Sequence, residues 1–569
     1  MENYGRKLCL PIFPINVESV VYISYFVGGE KQHIIKPEGG ISMRKKTLFL
    51  VLLLSVALAL PVGAKTLKFA FQGSLDSFDP YNLNETFHLG TQGNVFEGLI
   101  RRGPDLTIEP ALAERWEVME PNRWRFYLRK GVKFHDGTPF TADDVVFSAT
   151  RVRHPDSDLR VRLSADTKVV KVDDHTVDFV TGKPNPILHV EWGTWYIMSK
   201  SWTEKHKAVL PQSATKEKEN YATRHANGTG PFMLVSHEPG VKTVFKVNPD
   251  WWDNPNKEHN LTEVIFTQIG NDATRVAALL SGQVDMAYPI PVQDMKRVDG
   301  NAVTRMLVGP ELRTIFLGMD QFRDELLYSN IKGKNPFKDK RVRQAFYQAI
   351  DIEAIKKKVM RGLSEPSAMM IAPGVHGGGN PKFKRLEYDP AASKKLLAEA
   401  GYPDGFEVGM DCPNNRYVND EQICLAAVSM LAKVGIKVNL LAQPKAKYFA
   451  KILAPKLDTS FYLLGWTPGS FDSYNPLNFL HACPKDTGEG KFNLGGYCNP
   501  AVDELNARIL SETDQAKRDA MIEQAWTMTI NDVAYVPLHQ QALAWGVNDK
   551  VDLKQRPDNQ FAWRHVNVE

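Results

Sequence analysis

Four cysteines in two close pairs are the residues whose spacing most directly predicts covalent chemistry. Cys412 and Cys424 form one pair, and Cys483 and Cys498 form the other. In an oxidising compartment an even number of cysteines in local pairs indicates disulfides. The alternative is a metal site, but no C-x-x-C and no Cys/His cluster has zinc spacing. We therefore expect two disulfides, no metal centre and no cofactor.

Several common catalytic and nucleotide-binding motifs are absent from this sequence. It contains neither H-E-x-x-H nor G-x-S-x-G, and no Walker loop. The stretch Ser213-Ala214-Thr215-Lys216 matches S-x-x-K, but no K-T-G follows it, so we interpret the match as chance. The 14 histidines are scattered singly. We therefore expect that the protein is not an enzyme.

Residues 43–64 have the three parts of a secretory signal peptide. Arg44-Lys45-Lys46 is a basic start, 48–60 is an apolar run, and Val62-Gly63-Ala64 is a small-residue cleavage site. The apolar run is shorter than the ~20 residues of a membrane-spanning helix, which argues against the alternative of an anchor. No cysteine follows it at the cleavage point, so we expect a soluble periplasmic protein without a lipid anchor.

A further 42 residues precede this signal, although a secretory signal is expected at the true N-terminus. Glu38-Gly39-Gly40 lies just upstream of Met43, and its codons can contain a purine-rich ribosome-binding sequence. We therefore hypothesise that Met43 is the real start and that residues 1–42, with the fifth cysteine, Cys9, are translated leader.

The composition is that of a soluble globular protein. The 569 residues are 43% hydrophobic, and 70 Lys and Arg nearly balance 66 Asp and Glu. No basic stripe with interleaved aromatic residues is present, so we expect no nucleic-acid partner. A chain of this length predicts two or three domains of roughly 150 residues each.

Short strands and helices alternate along the chain from Lys65, which predicts a mixed α/β fold. The predicted strands are Thr66–Phe71, Arg123–Arg129, Thr314–Met319, Phe406–Val408, Ile436–Leu440 and Asp458–Leu464. One predicted helix begins at Thr141. Further predicted helices cover Asn271–Asp285, Asp339–Lys358, Pro390–Ala400 and Glu421–Val434.

The run Pro110–Ser148 combines several of these signals. Trp124, Phe126 and Leu128 fall on one face of a predicted half-buried strand. After two turns, Thr141-x-x-Asp144 has the spacing of a capping box that opens a helix. As a string, this run resembles the signature region of the bacterial extracellular solute-binding proteins that serve dipeptide, oligopeptide and nickel ABC importers.

The resemblance extends over essentially all of the chain from Lys65 to Glu569. Further segments that carry it are Asn227–Phe232, Asn248–Trp252, Arg275–Asp285, Phe337–Asp351 and Tyr388–Gly401. It implies a two-lobed, type II-like periplasmic binding protein fold with an extra subdomain in the first lobe. Two crossing strands would form the hinge, and the lobes would close around a ligand.

The family's boundaries can be placed on this sequence. Lobe I is expected at 65–313 and 535–569, with the extra subdomain at 108–224, and lobe II at 314–534. The crossings are expected near Thr314–Asp320 and Val533–His539. The resemblance also implies a monomer that delivers its ligand to an inner-membrane ABC permease complex.

The resemblance also implies two charged ligand-binding positions. Peptide-binding members place an aspartate shortly after a strand that ends in Gly-Trp, and it pairs with the peptide's ammonium group. Here that residue is Asp472, in a loop longer than the family's. A charge-assisted bond in a dry cleft would set the ligand's register. The alternative is an aspartate that only forms a turn.

Arg416 corresponds to an arginine that binds the ligand carboxylate in dipeptide-type members, and Tyr417 follows it directly. A planar guanidinium matches a carboxylate with two parallel hydrogen bonds. The alternative is a surface arginine beside a disulfide loop. Trp466 is expected to be either a wall of the ligand cavity or a buried core residue.

Together these features predict the periplasmic solute-binding component of an ABC importer for peptides or peptide-like solutes. The alternative is a non-peptide ligand such as a nickel chelate, haem, an opine or an oligosaccharide, because one fold can host many ligands. For a nickel chelate, His481 is a candidate contact.

Overall fold

The computed structural model describes residues 64–213 and 218–569. The predicted leader, the signal peptide up to Gly63 and most of the S-x-x-K match lie outside the described residues. No helix in the described part of the chain is long and apolar enough to cross a membrane.

The strands are numbered in chain order. They are β1 Thr66–Phe71, β2 Ile100–Arg102, β3 Ile108–Pro110, β4 Ala113–Glu120, β5 Arg123–Leu128, β6 Lys168–Asp173, β7 Thr176–Val180, β8 Phe232–Glu238, β9 Lys242–Val247, β10 Glu263–Gln268, β11 Met286–Tyr288, β12 Thr304–Met319, β13 Ser364–Pro366, β14 Glu407–Pro413, β15 Lys437–Gln443, β16 Phe461–Trp466, β17 Val536–Asn548, β18 Val551–Asp552 and β19 Asn567–Val568.

The helices are numbered in the same way. They are α1 Thr86–Gln92, α2 Ala142–Val152, α3 Lys200–Lys205, α4 Asp272–Leu280, α5 Met295–Asp299, α6 Lys340–Ala349, α7 Ile352–Ala354, α8 Pro390–Glu399, α9 Asp420–Ala432, α10 Lys445–Ile452, α11 Tyr474–Pro476, α12 Pro500–Ser511 and α13 Gln515–Asn531. Short 3-10 helices are Arg160–Arg162, Leu188–Trp192, Tyr221–Thr223, Asn254–Asn256, Pro336–Lys338 and Trp563–His565, and π-helical turns are Ile355–Val359 and Leu477–His481.

One mixed sheet runs through the described chain in the order β15-β14-β16-β12-β17-β11-β1-β10-β9-β8, with β13 on β17. A separate four-stranded antiparallel sheet has the order β4-β5-β7-β6. Its strands fall within the segment expected to form an extra subdomain.

The two long strands β12 and β17 lie at the centre of the main sheet and pair antiparallel along most of their length. The register shifts between Pro310 and Thr314. Beyond this shift, Thr314–Met319 also pairs with β16, whereas the far end of β17 pairs with β11. The strands therefore connect two halves of the sheet, and Arg313 leaves the ladder at the junction.

Three apolar cores surround this sheet. One contains Phe69 of β1 together with the inner face of the four-stranded sheet. Side chains alternate along β12, so Leu317 enters a second core and Phe316 enters a third on the opposite face. The third core also contains Trp466 at the end of β16. The sheet is thus covered on both faces in its second half.

Predictions that depend on residues close in sequence are confirmed for β5 and for the start of α2. Trp124, Phe126 and Leu128 are the buried residues of β5, and the capping box between Thr141 and Asp144 is present. The prediction of one helix over 339–358 is wrong. The helix ends at Ala349, and Asp351 accepts a hydrogen bond from the Ala354 N–H that starts a new turn.

Candidate functional site

A cavity lies beside the crossing strands, between residues that precede β12 and residues that follow it. Its empty volume is about 890 Å³, which includes space that is open to solvent. Its apolar wall includes Leu83, Leu89, Phe449, Leu464, Trp466, Phe471 and Phe492. Its charged wall includes Arg102, Arg162, Arg313, Arg416, Arg556, Glu85, Asp158 and Asp558. Arginines therefore outnumber carboxylates in the lining.

The loop between β14 and α9 carries Arg416 to this cavity. A disulfide between Cys412 and Cys424 ties the end of β14 to α9 across the loop. Within it, Asp420 Oδ2 accepts hydrogen bonds from the backbone N–H groups of Arg416 and Tyr417, at 2.8 and 2.9 Å. Burial raises the pKa of Asp420 to about 7 despite these hydrogen bonds. The loop is therefore held by a covalent tie and a buried carboxyl group.

Tyr417 joins this loop to the end of β16. Its hydroxyl accepts a hydrogen bond of 3.0 Å from the Gly465 N–H. A side chain at position 465 would place its Cβ 2.8 Å from Tyr417 Cε1 and 3.0 Å from Arg313 Cδ. The close approach of these side chains therefore requires the glycine that precedes Trp466.

The Arg416 guanidinium is buried and binds an acid from the other half of the protein. Its Nη2 lies 2.7 Å from Glu85 Oε1, and Lys445 Nζ lies 3.5 Å from the other oxygen of Glu85. Burial alone would raise the pKa of Glu85, but Arg416 and Lys445 hold it below its usual value. Arg416 Nε has no hydrogen-bond partner among the described residues. Arg416 therefore lines the cavity with one guanidinium N–H unpaired among the described residues.

Trp466 lines the cavity and is only 8% exposed, and its role as a wall for the ligand stays a prediction. Its Nε1 donates to Asn475 Oδ1 at 2.9 Å, and its ring centroid lies 5.1 Å from that of Phe492. The rigid ring forms an apolar wall next to the Arg416 loop.

Asp472 lies in the expected loop but is not part of the cavity lining. Arg518 of α13 donates to both of its oxygens at 2.8 and 2.7 Å, and His376 Nδ1 lies 2.7 Å from Oδ2. Burial would raise the pKa of Asp472, but His376 and Arg518 lower it to about 2. The structure therefore brings Arg416, Tyr417 and Trp466 together and places Asp472 in an internal ion pair. Its role as an amine ligand stays a prediction.

The second predicted disulfide, between Cys483 and Cys498, is also formed. His481, the candidate contact for a nickel chelate, is buried away from the cavity. Its Nδ1 lies 3.0 Å from the Pro476 carbonyl oxygen.

Two further arginines of the lining, Arg102 and Arg162, were not predicted. Arg102 Nη1 and Nη2 donate to backbone carbonyls, and its guanidinium lies 4.2 Å from the Phe471 ring centroid. Arg162 Nη2 donates to Asn84 Oδ1 at 3.0 Å. Burial lowers the pKa of both to about 10. Nothing in the sequence marks them, since arginine is usually exposed and burial depends on distant segments.

The comparisons with known proteins agree with this architecture. Residues 107–488 match the family model "Bacterial extracellular solute-binding proteins, family 5 Middle". Glutathione-binding protein GsiB of Salmonella choleraesuis is 24% identical over 85% of this chain and 90% of that protein. Heme-binding protein A of Haemophilus influenzae is 28% identical over 76% of this chain and 78% of its own length.

A solved structure shows the same fold. The PBP AgaA of A. tumefacien R10, in complex with agropinic acid, superposes with a TM-score of 0.77. The match has 25% identity and covers 89% of this chain and 99% of AgaA. The expected two-lobed fold is thus confirmed. The chain belongs to the bacterial extracellular solute-binding proteins of family 5, the solute-binding components of dipeptide, oligopeptide and nickel ABC importers.

Proposed function

We propose that this protein captures a peptide-like solute in the cavity beside its crossing strands and binds the solute's carboxylate through Arg416. The observation that carries this proposal is a buried guanidinium that lines the cavity and whose Nε has no partner among the described residues. A charge-assisted hydrogen bond in such a site is strong and directional. Trp466 and Phe492 would cover apolar parts of the solute.

The contact between Arg416 and Glu85 joins the proposed ligand site to closure of the lobes. Glu85 precedes β12 and Arg416 follows it, so their ion pair spans the cleft. In the proposed closure Arg416 reaches Glu85, and a carboxylate bound to the guanidinium would be enclosed. This is the behaviour of a protein that carries a solute unchanged, and we propose no chemical reaction at the site.

The place of action follows from the predicted signal peptide and from the family. We propose that the mature protein is a periplasmic monomer and that its liganded form docks on an inner-membrane ABC permease. Relatives named for glutathione and haem, and one solved with agropinic acid, bind different solutes. The ligand class must therefore be tested directly.

The test starts with protein purified from periplasm. Native mass spectrometry followed by denaturing release would identify a co-purified solute, and calorimetry would measure its affinity. A short peptide whose affinity falls by about tenfold or more in Arg416→Gln supports the proposal, since bonds to charged groups contribute about 1.5–3 kcal/mol. A haem, metal-chelate or glycan mass, or an unchanged affinity in Arg416→Gln, overturns it. Arg297→Gln, at an exposed position outside the cavity, is the matched control.

A further inference from the structure

Most charges of the cavity lining are compensated within the protein. Arg313 Nε lies 2.8 Å from Glu311 Oε1, and Arg556 Nη2 lies 2.6 Å from Asp558 Oδ2. On the acidic side, Asp158 lies 3.2 Å from Lys491 Nζ. Together with the pair between Arg416 and Glu85, these contacts leave two arginines of the lining unaccounted for.

Arg102 and Arg162 have no carboxylate within ion-pair distance among residues 64–213 and 218–569. They are only 6% and 4% exposed. Their hydrogen-bond partners in the described chain are neutral backbone and amide oxygens, and the Nε of each has no partner there. A buried cation without a counter-charge is costly, and an anion that enters the cavity would offset that cost.

Two hydroxyl groups add to this arrangement. Thr194 Oγ1 and Thr467 Oγ1 line the same cavity, are buried, and have no partner in the described chain. Burial raises the pKa of the nearby acid Glu191 to about 8, which favours its neutral form at pH 7 and weakens its compensation of Arg162. The wall near Arg162 therefore offers hydrogen-bond donors and positive charge. Asp158 acts on Arg162 and Asp558 on Arg102 beyond ion-pair distance, and each of these carboxylates is already paired with another cation, Lys491 or Arg556.

The loop that closes over these arginines fits them closely. Phe471 stacks on Arg102 and has a positive φ of 53°, a strained conformation for a residue with this side chain. A side chain at position 469 would place its Cβ 2.5 Å from Arg162 Nη1. Both guanidinium groups are thus held in place by the segment that joins β16 to α11.

We infer that Arg102 and Arg162 form a second anion-binding subsite, so that the captured solute carries two carboxylates, one for Arg416 and one for this subsite. The inference rests on the proposed function, since it narrows the peptide-like solute to an acidic one. Arg102 and Arg162 precede β12 and Arg416 follows it, so a diacid would contact residues on both sides of the hinge.

The experiment compares peptides that differ by one charge. Ligand-free protein, obtained by unfolding and refolding, is mixed with equal amounts of acid and amide partners: Ala-Glu with Ala-Gln, Glu-Ala with Gln-Ala, and glutathione with its glycine amide. Native mass spectrometry measures the ratio of bound acid to bound amide. Because both ligands compete for the same folded molecules, this ratio does not depend on the folded fraction of a variant.

We expect the wild type to prefer an acid over its amide by about tenfold or more. Arg162→Gln and Arg102→Gln should bring the ratio close to one while amide binding persists, and Arg297→Gln should leave it unchanged. Arg416→Gln should weaken the binding of Ala-Glu and Ala-Gln alike.

Equal binding of acid and amide by the wild type, or an unchanged ratio in both subsite variants, overturns the second subsite. If Ala-Gln then still binds in a manner that depends on Arg416, the proposed function stands without it. If no peptide of the set is captured, both proposals fail.

Discussion

Two charged residues, Arg416 and Asp472, were expected to bind the ligand. They differ in how many hydrogen-bond and ion-pair partners other residues of the protein already supply. Arg416 contacts one carboxylate through Nη2, and its Nε has no hydrogen-bond partner among the described residues. Asp472 accepts two hydrogen bonds from Arg518 and a third interaction from His376, away from the cavity lining. Both residues are buried and charged. Arg416 has one N–H without a partner in the described chain, whereas both carboxylate oxygens of Asp472 have partners.

This difference shows that the position of a residue in a loop does not by itself determine whether it binds the ligand. Asp472 sits where the resemblance places an amine ligand, yet α13 supplies a cation to that position from within the chain. An ammonium group from a solute would have to compete with a bidentate arginine. Asp472 is thus better placed to fix the loop that carries Phe471 than to meet the solute.

The largest effect that separates the two positions is expected from Asp472→Asn. Breaking one side of a buried pair leaves Arg518 uncompensated and should lower the free energy of unfolding by about 3–5 kcal/mol. Urea unfolding measures this loss, and the affinity of the remaining folded protein should change little. The exposed pair between Arg305 and Asp549 provides the control, since Asp549→Asn should cost about 1 kcal/mol or less.

A stable Asp472→Asn variant that has lost solute affinity would reverse the comparison. The carboxylate would then act on the ligand, as the resemblance implies, and Arg518 would have to release it on binding.

The two disulfides offer a second comparison, because one holds the Arg416 loop and the other lies elsewhere. Replacing both cysteines of either pair with serine should lower the free energy of unfolding by about 3 kcal/mol, since both close short loops. Only the variant that lacks Cys412 and Cys424 should also bind its solute more weakly. Equal affinities in the two double variants would show that the loop needs no covalent tie.

Much of the fold could be predicted because its signals are local. The alternation in β5, the capping box at Thr141 and the strand at Thr66–Phe71 depend on residues close in sequence. The break after Ala349 was missed because apolar spacing continues through Ile350, whereas Asp351 competes for the backbone by capping a new turn.

The site was predicted only in part, for a physical reason. Arg416, Tyr417 and Trp466 lie beside motifs of the family, so their position follows from the resemblance. Arg518 pairs with Asp472 through a contact between distant segments. The Arg162 Nε is left without a partner in the described chain by the way that distant segments surround it. Charge compensation of this kind depends on the assembled fold.

Glu85 offers a sharper test of the Arg416 side. In Glu85→Gln the closed form loses its pair with Arg416 and Lys445, whereas charges in an open cleft are solvated. Solute affinity should therefore fall by about 1.5–3 kcal/mol, and small-angle scattering should show a more extended ligand-free protein. The exposed Glu365, paired with Lys356, supplies the matched control Glu365→Gln. Tighter binding by Glu85→Gln would instead mean that the solute displaces Glu85.

The smallest expected effect is a pH dependence on the Asp472 side. A hydrogen bond with Asp472, helped by Asp519 and opposed by burial and Arg518, raises the pKa of His376 above 6.5. A raised pKa contributes stability that is fully present below 6.5 and is lost as pH rises through the folded-state value. The free energy of unfolding should thus fall more steeply in the wild type than in His376→Gln as the pH rises above 6.5. Parallel curves would mean that the imidazole stays neutral, and Asp472 would then depend on Arg518 alone for its charge partner.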